Sequence, residues 1–255
     1  MSGGYGAISC AYDSFNKDID YTAWADLAEA CFDAFLPSRP TLVLDLACGT
    51  GTLTEILASR GYDMTGVDIS PEMLSVARER CPEGTLLLCQ DISAFELYGT
   101  VGAVICSLDS INHLTKKAKL QKCFALTHNY LDPDGIFIFD VNTPYRFENE
   151  YGTQSYQLEG ELEDGRAVFC NWQNDYSKKR GICDFYLSLF TETAAGSNLY
   201  ARADEEWSER CYSREELCDA LISAGFELLA VYGSTSMRSP RKNDSKLYFV
   251  ARAKK

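Results

Sequence analysis

The sequence predicts an α/β protein: a doubly wound, mostly parallel, seven-stranded sheet carrying an inserted antiparallel β subdomain. Three observations predict it. Short runs that are apolar throughout alternate with helical patterns from residue 41 to residue 141. Such runs mark a parallel sheet covered on both faces. A stretch of roughly sixty residues, 147–210, then gives up helical periodicity for strand-like segments broken by turn signals. Helix and strand return over 213–251 and close the first sheet.

Residues 1–18, rich in Gly, Ser, Asn and Asp, read as a loosely ordered arm. From 20 to 36 the apolar residues Trp24, Leu27, Ala28, Cys31, Phe32 and Phe35 recur every three or four positions, an amphipathic helix ended by Pro37 and Pro40. Residues 41–46 form the first buried strand, 53–59 a helix with Gly61 just beyond it, and 62–67 the second strand. Ser70-Pro71-Glu72 supplies an N-cap, an N1 proline and a first-turn acid, opening a helix to about Arg80. The third strand covers 85–89 and the fourth 102–107. A helix capped by Thr115 runs to Leu131 and stops at Asp132-Pro133-Asp134-Gly135, and 136–141 is the fifth strand.

Within 147–210, turn signals at Glu163-Asp164-Gly165, Lys178-Lys179-Arg180-Gly181 and Ala195-Gly196-Ser197-Asn198 separate three or four antiparallel strands. Ser213 and Glu216 form a capping box for the last helix, which ends at Gly225. Residues 226–232 and 247–251 are the closing strands, joined by a polar loop, 233–245, expected to be mobile. The main domain therefore spans 1–146 and 211–255, with the arm and first helix over 1–36 and the insertion over 147–210.

Composition narrows the function. Lys and Arg total 24 against 37 for Asp and Glu, a formal charge of −13. That field repels polyphosphate backbones, so nucleic acid is not the expected partner. Lys116-Lys117-Ala118-Lys119 reads as the solvated first turn of a helix. Eleven cysteines occur, none with CxxC spacing, and only His113 and His128 could assist them, so no metal site is expected. Most of the cysteines sit in apolar stretches such as Val104-Ile105-Cys106, as small buried hydrophobes. No signal peptide is visible, and the apolar runs fall far short of the roughly 20 residues a membrane span requires. A reducing, cytoplasmic setting is expected, without membrane association. A monomer or a homodimer is compatible with this sequence.

The informative segment is Asp45-Leu46-Ala47-Cys48-Gly49-Thr50-Gly51, at the junction of the first strand with the helix after it. Glycines there let a ligand approach the backbone, in the crevice where open α/β sheets bind ligands. The second strand ends in Gly66-Val67-Asp68, an acid placed to accept both hydroxyls of a ribose. The third ends in Gln90-Asp91-Ile92, where a carboxylate can accept the amine of adenine. The set calls for an adenosine-containing cofactor. A dinucleotide is disfavoured because GxGxxG is not completed in either register: Ala47 or Thr54 falls where a glycine is needed.

D-L-A-C-G-T-G, with G-V-D-I-S-P-E-M-L and C-Q-D-I, resembles the class I S-adenosylmethionine-dependent methyltransferases. The bacterial small-molecule group with a β-rich insertion, related to amino-sugar N-methyltransferases, is most similar. The resemblance implies the Rossmann-like methyltransferase fold, S-adenosylmethionine as donor and S-adenosylhomocysteine as product. It implies that Asp45, Ala47, Gly49 and Gly51 line the methionine part and that Asp68 holds the ribose. Ile69 and Met73 would pack near the adenine, and Asp91, flanked by Gln90 and Ile92, would read its edge. Ser107 and Leu108 would pass beneath the sulfonium. Tyr12, Tyr21 and Trp24 would close the site from the N-terminal arm, although Trp24 and Met73 also read as core residues.

Methyl transfer needs alignment and desolvation, with a base if the acceptor is an amine. His113, just beyond the fourth strand, has the right resting pKa near ~6.5. The stretch Asp109-Ser110-Ile111-Asn112-His113-Leu114 is similar to the S-S-I-G-H-L of amino-sugar N,N-dimethyltransferases, where the histidine lies at the acceptor. Asn112 replaces the glycine, and Asp109 adds a charge that could pair with a substrate ammonium. His113 reads equally as a structural residue at a helix entry. Neither [DN]-P-P-[YFW] nor a Pro-Cys pair follows the fourth strand, which moves the acceptor from nucleic acid toward a small molecule methylated at N or O. The insertion would cover the strand ends as a lid, with Tyr151, Tyr156, Phe169, Trp172 or Tyr186 as aromatic walls or as its own core.

Overall fold

The structure, a computed structural model, describes residues 9, 11–162 and 164–255. The first eight residues of the predicted arm, Cys10 and Glu163 of the predicted turn lie outside the described residues. In chain order the elements are α1 (Tyr12–Phe15), α2 (Tyr21–Phe35), β1 (Leu42–Leu46), α3 (Thr52–Ser59), β2 (Asp63–Asp68), α4 (Pro71–Arg80), β3 (Leu86–Cys89) and β4 (Val101–Cys106). After a 3-10 turn at Ser110–His113 come α5 (Lys117–Tyr130), β5 (Leu131–Asn142) and α6 (Pro144–Arg146), then a π turn at Phe147–Tyr151. The strands β6 (Ser155–Glu161), β7 (Ala167–Ser177), β8 (Ile182–Glu192) and β9 (Tyr200–Arg210) follow, then α7 (Arg214–Ser223), β10 (Phe226–Tyr232) and β11 (Lys246–Ala253).

Seven strands form one sheet in the order β10-β11-β5-β4-β1-β2-β3. The pairings of β3, β2, β1, β4 and β5 are parallel, and β11 runs antiparallel to both β5 and β10. Apolar side chains cover both faces. Leu44, Val104, Phe137, Phe139 and Phe249 pack under α5 and α7, and Val43, Ala103, Ile105, Ile138 and Val250 pack under α2 and α3. Each of the larger side chains among them contributes about 1.5–3 kcal/mol by leaving water, which is why these strands need no alternation of polar and apolar residues. The other four strands form a separate antiparallel sheet, β6-β7-β8-β9, inserted between β5 and α7. Order reverses at β1, where β2 lies on one side and β4 on the other, so the crevice opens at the carboxyl ends of these strands.

Local chemistry explains most element ends. Ser70 accepts from the Met73 amide ahead of Pro71, and the Ser213–Glu216 capping box is formed in both directions. Four expectations are corrected. Residues 12–15 are helical, because Tyr12 and Phe15 pack on the second sheet and Arg80 pairs with Asp13. Thr115 is not a cap: the chain turns after His113, and Lys116 offers the first helical carbonyl, to the Lys119 and Leu120 amides. Asp132–Gly135 is no separate turn but a bulge inside β5, since β4 pairs first with Leu131 and next with Ile136. The segment 147–210 opens with helix, the π turn at Phe147–Tyr151, held by buried Phe147 against Tyr151 and Tyr176. The loop 233–245 is tied by Arg238 to Asp244 at 2.6 Å and by a Gly233 N–H to Arg238 C=O bond.

Candidate active site

At the end of β1 the chain takes positive φ at Ala47 (58°), Gly49 (55°) and Gly51 (77°), curling the backbone around the crevice. Gly51 is required by packing: a Cβ there would lie 2.9 Å from both Ala77 Cβ and Cys81 Sγ of the adjoining helix segment. A Cβ at Gly49 would meet nothing within 4 Å, so its face is open. Asp45 lies beneath this curl, 1 % exposed, with Oδ2 accepting from Thr54 Oγ1 at 2.6 Å. Its Oδ1 is buried and finds no hydrogen-bond partner among the described residues. Burial pushes its carboxyl up to about 7.

Asp68 closes the loop from β2. Its Oδ2 accepts from the Gly49 amide at 2.9 Å and its Oδ1 from the Ser70 amide at 2.8 Å. Burial raises its pKa, and those amides pull it back in part. Each carboxylate oxygen retains lone pairs for hydroxyl donors. Burial also opposes ionisation of Asp91 beyond β3, but Lys119 at 2.9 Å and Ser93 outweigh it and hold this carboxyl below its ordinary range.

Between these groups lies a cavity of about 250 Å³. Of the residues singled out in the sequence, Tyr12, Tyr21, Ala47, Gly49, Asp68, Ile69, Met73, Asp91, Ile92, Ser107, Leu108 and His113 line it. Asp45, Gly51, Gln90, Trp24 and Asp109 do not. Asp45 and Gly51 shape the loop from behind. Gln90 is folded onto the Glu96 backbone. Trp24 is nearly buried, 3 % exposed, with Nε1 donating to Asp140 at 3.1 Å and its ring edge-on to Tyr248, and it faces a neighbouring cavity instead of this one.

A second cavity, of about 360 Å³, adjoins the first and shares Tyr12, Leu108 and Trp207 with it. Aromatic walls come from Trp24, Tyr151, Trp172, Trp207 and Tyr248, and charges from Asp109, Asp140, Glu209, Arg146 and Lys246. Of the expected lid aromatics only Tyr151 and Trp172 line it. Phe169 lies tilted against Phe190, while Tyr156 and Tyr186 are exposed, because strand alternation turns Phe169 and Tyr186 to the outer face.

Asp109 lines the second cavity with its Oδ1 paired to Lys246 Nζ at 2.6 Å, and Lys246 also reaches Asp140 Oδ2 at 2.6 Å. Burial works against Asp109, but Lys246 and Arg146 keep it ionised, below its usual range. Glu209 is pushed the other way, by burial and by the Asp109 charge, while Asn142 donates to its Oε2 at 3.0 Å. His113 Nε2 stands 3.9 Å from Glu209 Oε1. Burial holds the imidazole below its ordinary pKa, with Asp109 opposing. A neutral ring therefore faces the cavity at neutral pH. Asp109, His113 and Glu209 each present one ligand atom within 4.8 Å of the others, the geometry of a candidate cation site with Lys246 already beside it.

Sequence reasoning missed Trp207, Glu209, Asp140, Arg146 and Lys246. One signal was present: alternation along β9 turns Glu205, Trp207 and Glu209 to one face of the strand.

Residues 43–135 match the family described as a methyltransferase domain. The chain is 32% identical over 91% of its length to a Streptomyces fradiae protein named dTDP-3-amino-3,6-dideoxy-alpha-D-glucopyranose N,N-dimethyltransferase, of which 89% is covered. It is 28% identical to YqeM of Bacillus subtilis over 98% of both chains. Among solved structures, an S-adenosylmethionine-dependent methyltransferase from Clostridium acetobutylicum superposes with a TM-score of 0.81 at 29% identity, covering 98% of this chain and 99% of that one. Fold and similarity define the class as a methyltransferase. The chain belongs to the S-adenosylmethionine-dependent methyltransferases with a Rossmann-like fold.

Proposed function

We propose that this methyltransferase acts on a small-molecule acceptor, at an amine nitrogen or a hydroxyl oxygen, with the donor in the first cavity and the acceptor in the second. The observation that carries this reading is that the two cavities meet at Tyr12, Leu108 and Trp207, with His113 on the donor side, 3.9 Å from Glu209 of the second cavity. The first cavity fits the donor. The open face of Gly49 accepts close approach, Asp68 keeps lone pairs for ribose hydroxyls, and Asp91 lies beside the apolar patch of Ile69, Met73 and Ile92. Asp45 supports the loop through Thr54 rather than from within the cavity.

When bound, S-adenosylmethionine supplies a methyl group on a sulfonium, open to in-line displacement. The chain's own part is to align the acceptor, exclude water and remove one proton. Residues 147–210 act as the lid, with Trp172 and Trp207 walling the acceptor space. His113, neutral at working pH, takes the proton of an acceptor ammonium or hydroxyl. An amine is favoured, since an ammonium is a far stronger acid than an alcohol and so gives up its proton to a neutral imidazole far more readily. The Streptomyces relative, named as acting on an amino sugar, supports the same choice. Lys246 supplies the positive charge that Asp109 and Asp140 need, so the proposed chemistry uses no metal.

The charge of −13 supports an acceptor that is not nucleic acid. No helix among the described residues is long and apolar enough to cross a membrane, and ten described cysteines are unpaired, which suits a reducing cytoplasm. Release of S-adenosylhomocysteine on a panel of amino sugars, amino acids and small alcohols tests the reading. Turnover confined to amines supports it, and turnover only on RNA or protein refutes it.

A further inference from the structure

Beyond the strand ends that build the donor cavity, one buried carboxylate receives four donors from three separate parts of the chain. Asp140, near the end of β5, is 0 % exposed. Its Oδ1 accepts from the Leu108 amide at 2.6 Å and from Trp24 Nε1 at 3.1 Å. Its Oδ2 accepts from the Asp109 amide at 3.1 Å and from Lys246 Nζ at 2.6 Å. The two amides belong to consecutive residues in the left-handed region, Leu108 at φ 54° and Asp109 at φ 57°. Neither is glycine. For an L-residue with a side chain that conformation is sterically disfavoured, and two in succession need outside support.

We propose that Asp140 is a positioning residue for methyl transfer, clamping the left-handed Leu108-Asp109 turn at the boundary between the two cavities. Both amides of the turn point at one carboxylate, so the clamp acts on the backbone rather than on a side chain. Lys246 completes it by bridging Asp140 to the Asp109 side chain, tying the Asp109 end of the turn to β11. Trp24 holds the carboxylate from α2 by its Nε1 bond while its ring walls the second cavity. Leu108 lines both cavities, so a shift of this turn displaces donor and acceptor relative to each other. A misplacement near 1 Å is enough to cost about 100-fold in rate.

The inference rests on the two-cavity reading above, and its test separates the two. Four proteins are compared: the native chain, Asp140→Asn, Leu108→Gly, and the double variant. Asparagine keeps the shape of Asp140 but replaces one acceptor oxygen by a donor. Turnover is followed as S-adenosylhomocysteine release on a panel of small primary amines. Asp140→Asn is expected to lower kcat about 10- to 100-fold, with S-adenosylhomocysteine affinity changed less than about twofold. In the Leu108→Gly background the same replacement should cost only a few-fold, since glycine holds positive φ unaided. Equal losses in both backgrounds, or an unchanged kcat, overturn the proposal.

A second readout needs no turnover. With S-adenosylhomocysteine bound, the Leu108 and Asp109 amides of Asp140→Asn should exchange hydrogen at least roughly 10-fold faster than in the native chain. Unchanged exchange overturns the clamp even if no amine is methylated. Native protein that methylates none of the amines counts against the amine reading alone. Should Asp140→Asn fail to fold, Trp24→Phe removes one of the four donors. It should speed exchange of the same two amides about 2- to 5-fold, and unaltered exchange there is likewise a refutation.

Discussion

Replacing Asp68 by asparagine tests the donor cavity at the carboxylate that joins its first two strand ends. The native carboxylate accepts from the Gly49 and Ser70 amides at 2.9 and 2.8 Å, so it ties the glycine loop to the start of α4 and still offers lone pairs to a ribose. Asparagine keeps the shape but has one oxygen. Its amide nitrogen must face either Gly49 N–H or Ser70 N–H, a donor against a donor, and the charge that would strengthen both proposed ribose hydrogen bonds is lost. Hydrogen bonds to a charged group are worth about 1.5–3 kcal/mol and neutral ones about half that. Losing one such bond and weakening a second should reduce donor affinity by about 1–3 kcal/mol, or roughly 5- to 150-fold in Kd. Titration calorimetry with S-adenosylmethionine measures it directly, with thermal unfolding of the ligand-free variant as the control for folding. An unchanged Kd in a folded variant would remove Asp68 from the ribose site.

Three further outcomes follow from the same geometry. Gly51→Ala combines a left-handed backbone with a Cβ 2.9 Å from Ala77 Cβ and Cys81 Sγ, so it should destabilise the fold by about 2–4 kcal/mol in urea unfolding; a loss below about 0.5 kcal/mol would contradict the packing argument. His113→Ala should lower kcat on an amine by roughly 100-fold and abolish the acid limb of the pH–rate profile, which in the native chain falls below the usual imidazole range because burial lowers the His113 pKa. A rate untouched between roughly pH 6 and 9 would exclude it as the base. Asp45, raised by burial to about 7, favours folding in its protonated form. That contribution is complete below the ordinary carboxylate range and is lost as pH rises through about 7. The stability of Asp45→Asn relative to the native chain should therefore improve from pH 5 to pH 8, and a difference independent of pH would show that Asp45 is not held in this way.

What was legible in the sequence is what short-range physics determines. Ser70-Pro71-Glu72 and Ser213-Glu216 specify helix starts through bonds that span three residues. The buried strands declare themselves by apolar runs, and the acids at the ends of β2 and beyond β3 fall beside the glycine loop because adjacent parallel strands end together. Asp68 and Asp91 could thus be placed before any coordinates. The second cavity was not legible in the same way. Lys246 meets Asp109 across 137 residues and Asp140 across 106, and no local pattern announces such a pair. Trp24 satisfied helical periodicity under either role, and its bond to Asp140, 116 residues away, had no local signal. The helix at Tyr12–Phe15 is too short to be stable alone and exists because Arg80 and the second sheet hold it.

The most direct measurement is a crystal structure with S-adenosylhomocysteine bound. The account predicts the ribose hydroxyls on Asp68, the adenine between Ile69, Met73 and Ile92 beside Asp91, and the sulfur above Leu108 facing the aromatic cavity of Trp172 and Trp207. A nucleoside bound elsewhere, or a sulfur turned away from that cavity, would contradict it.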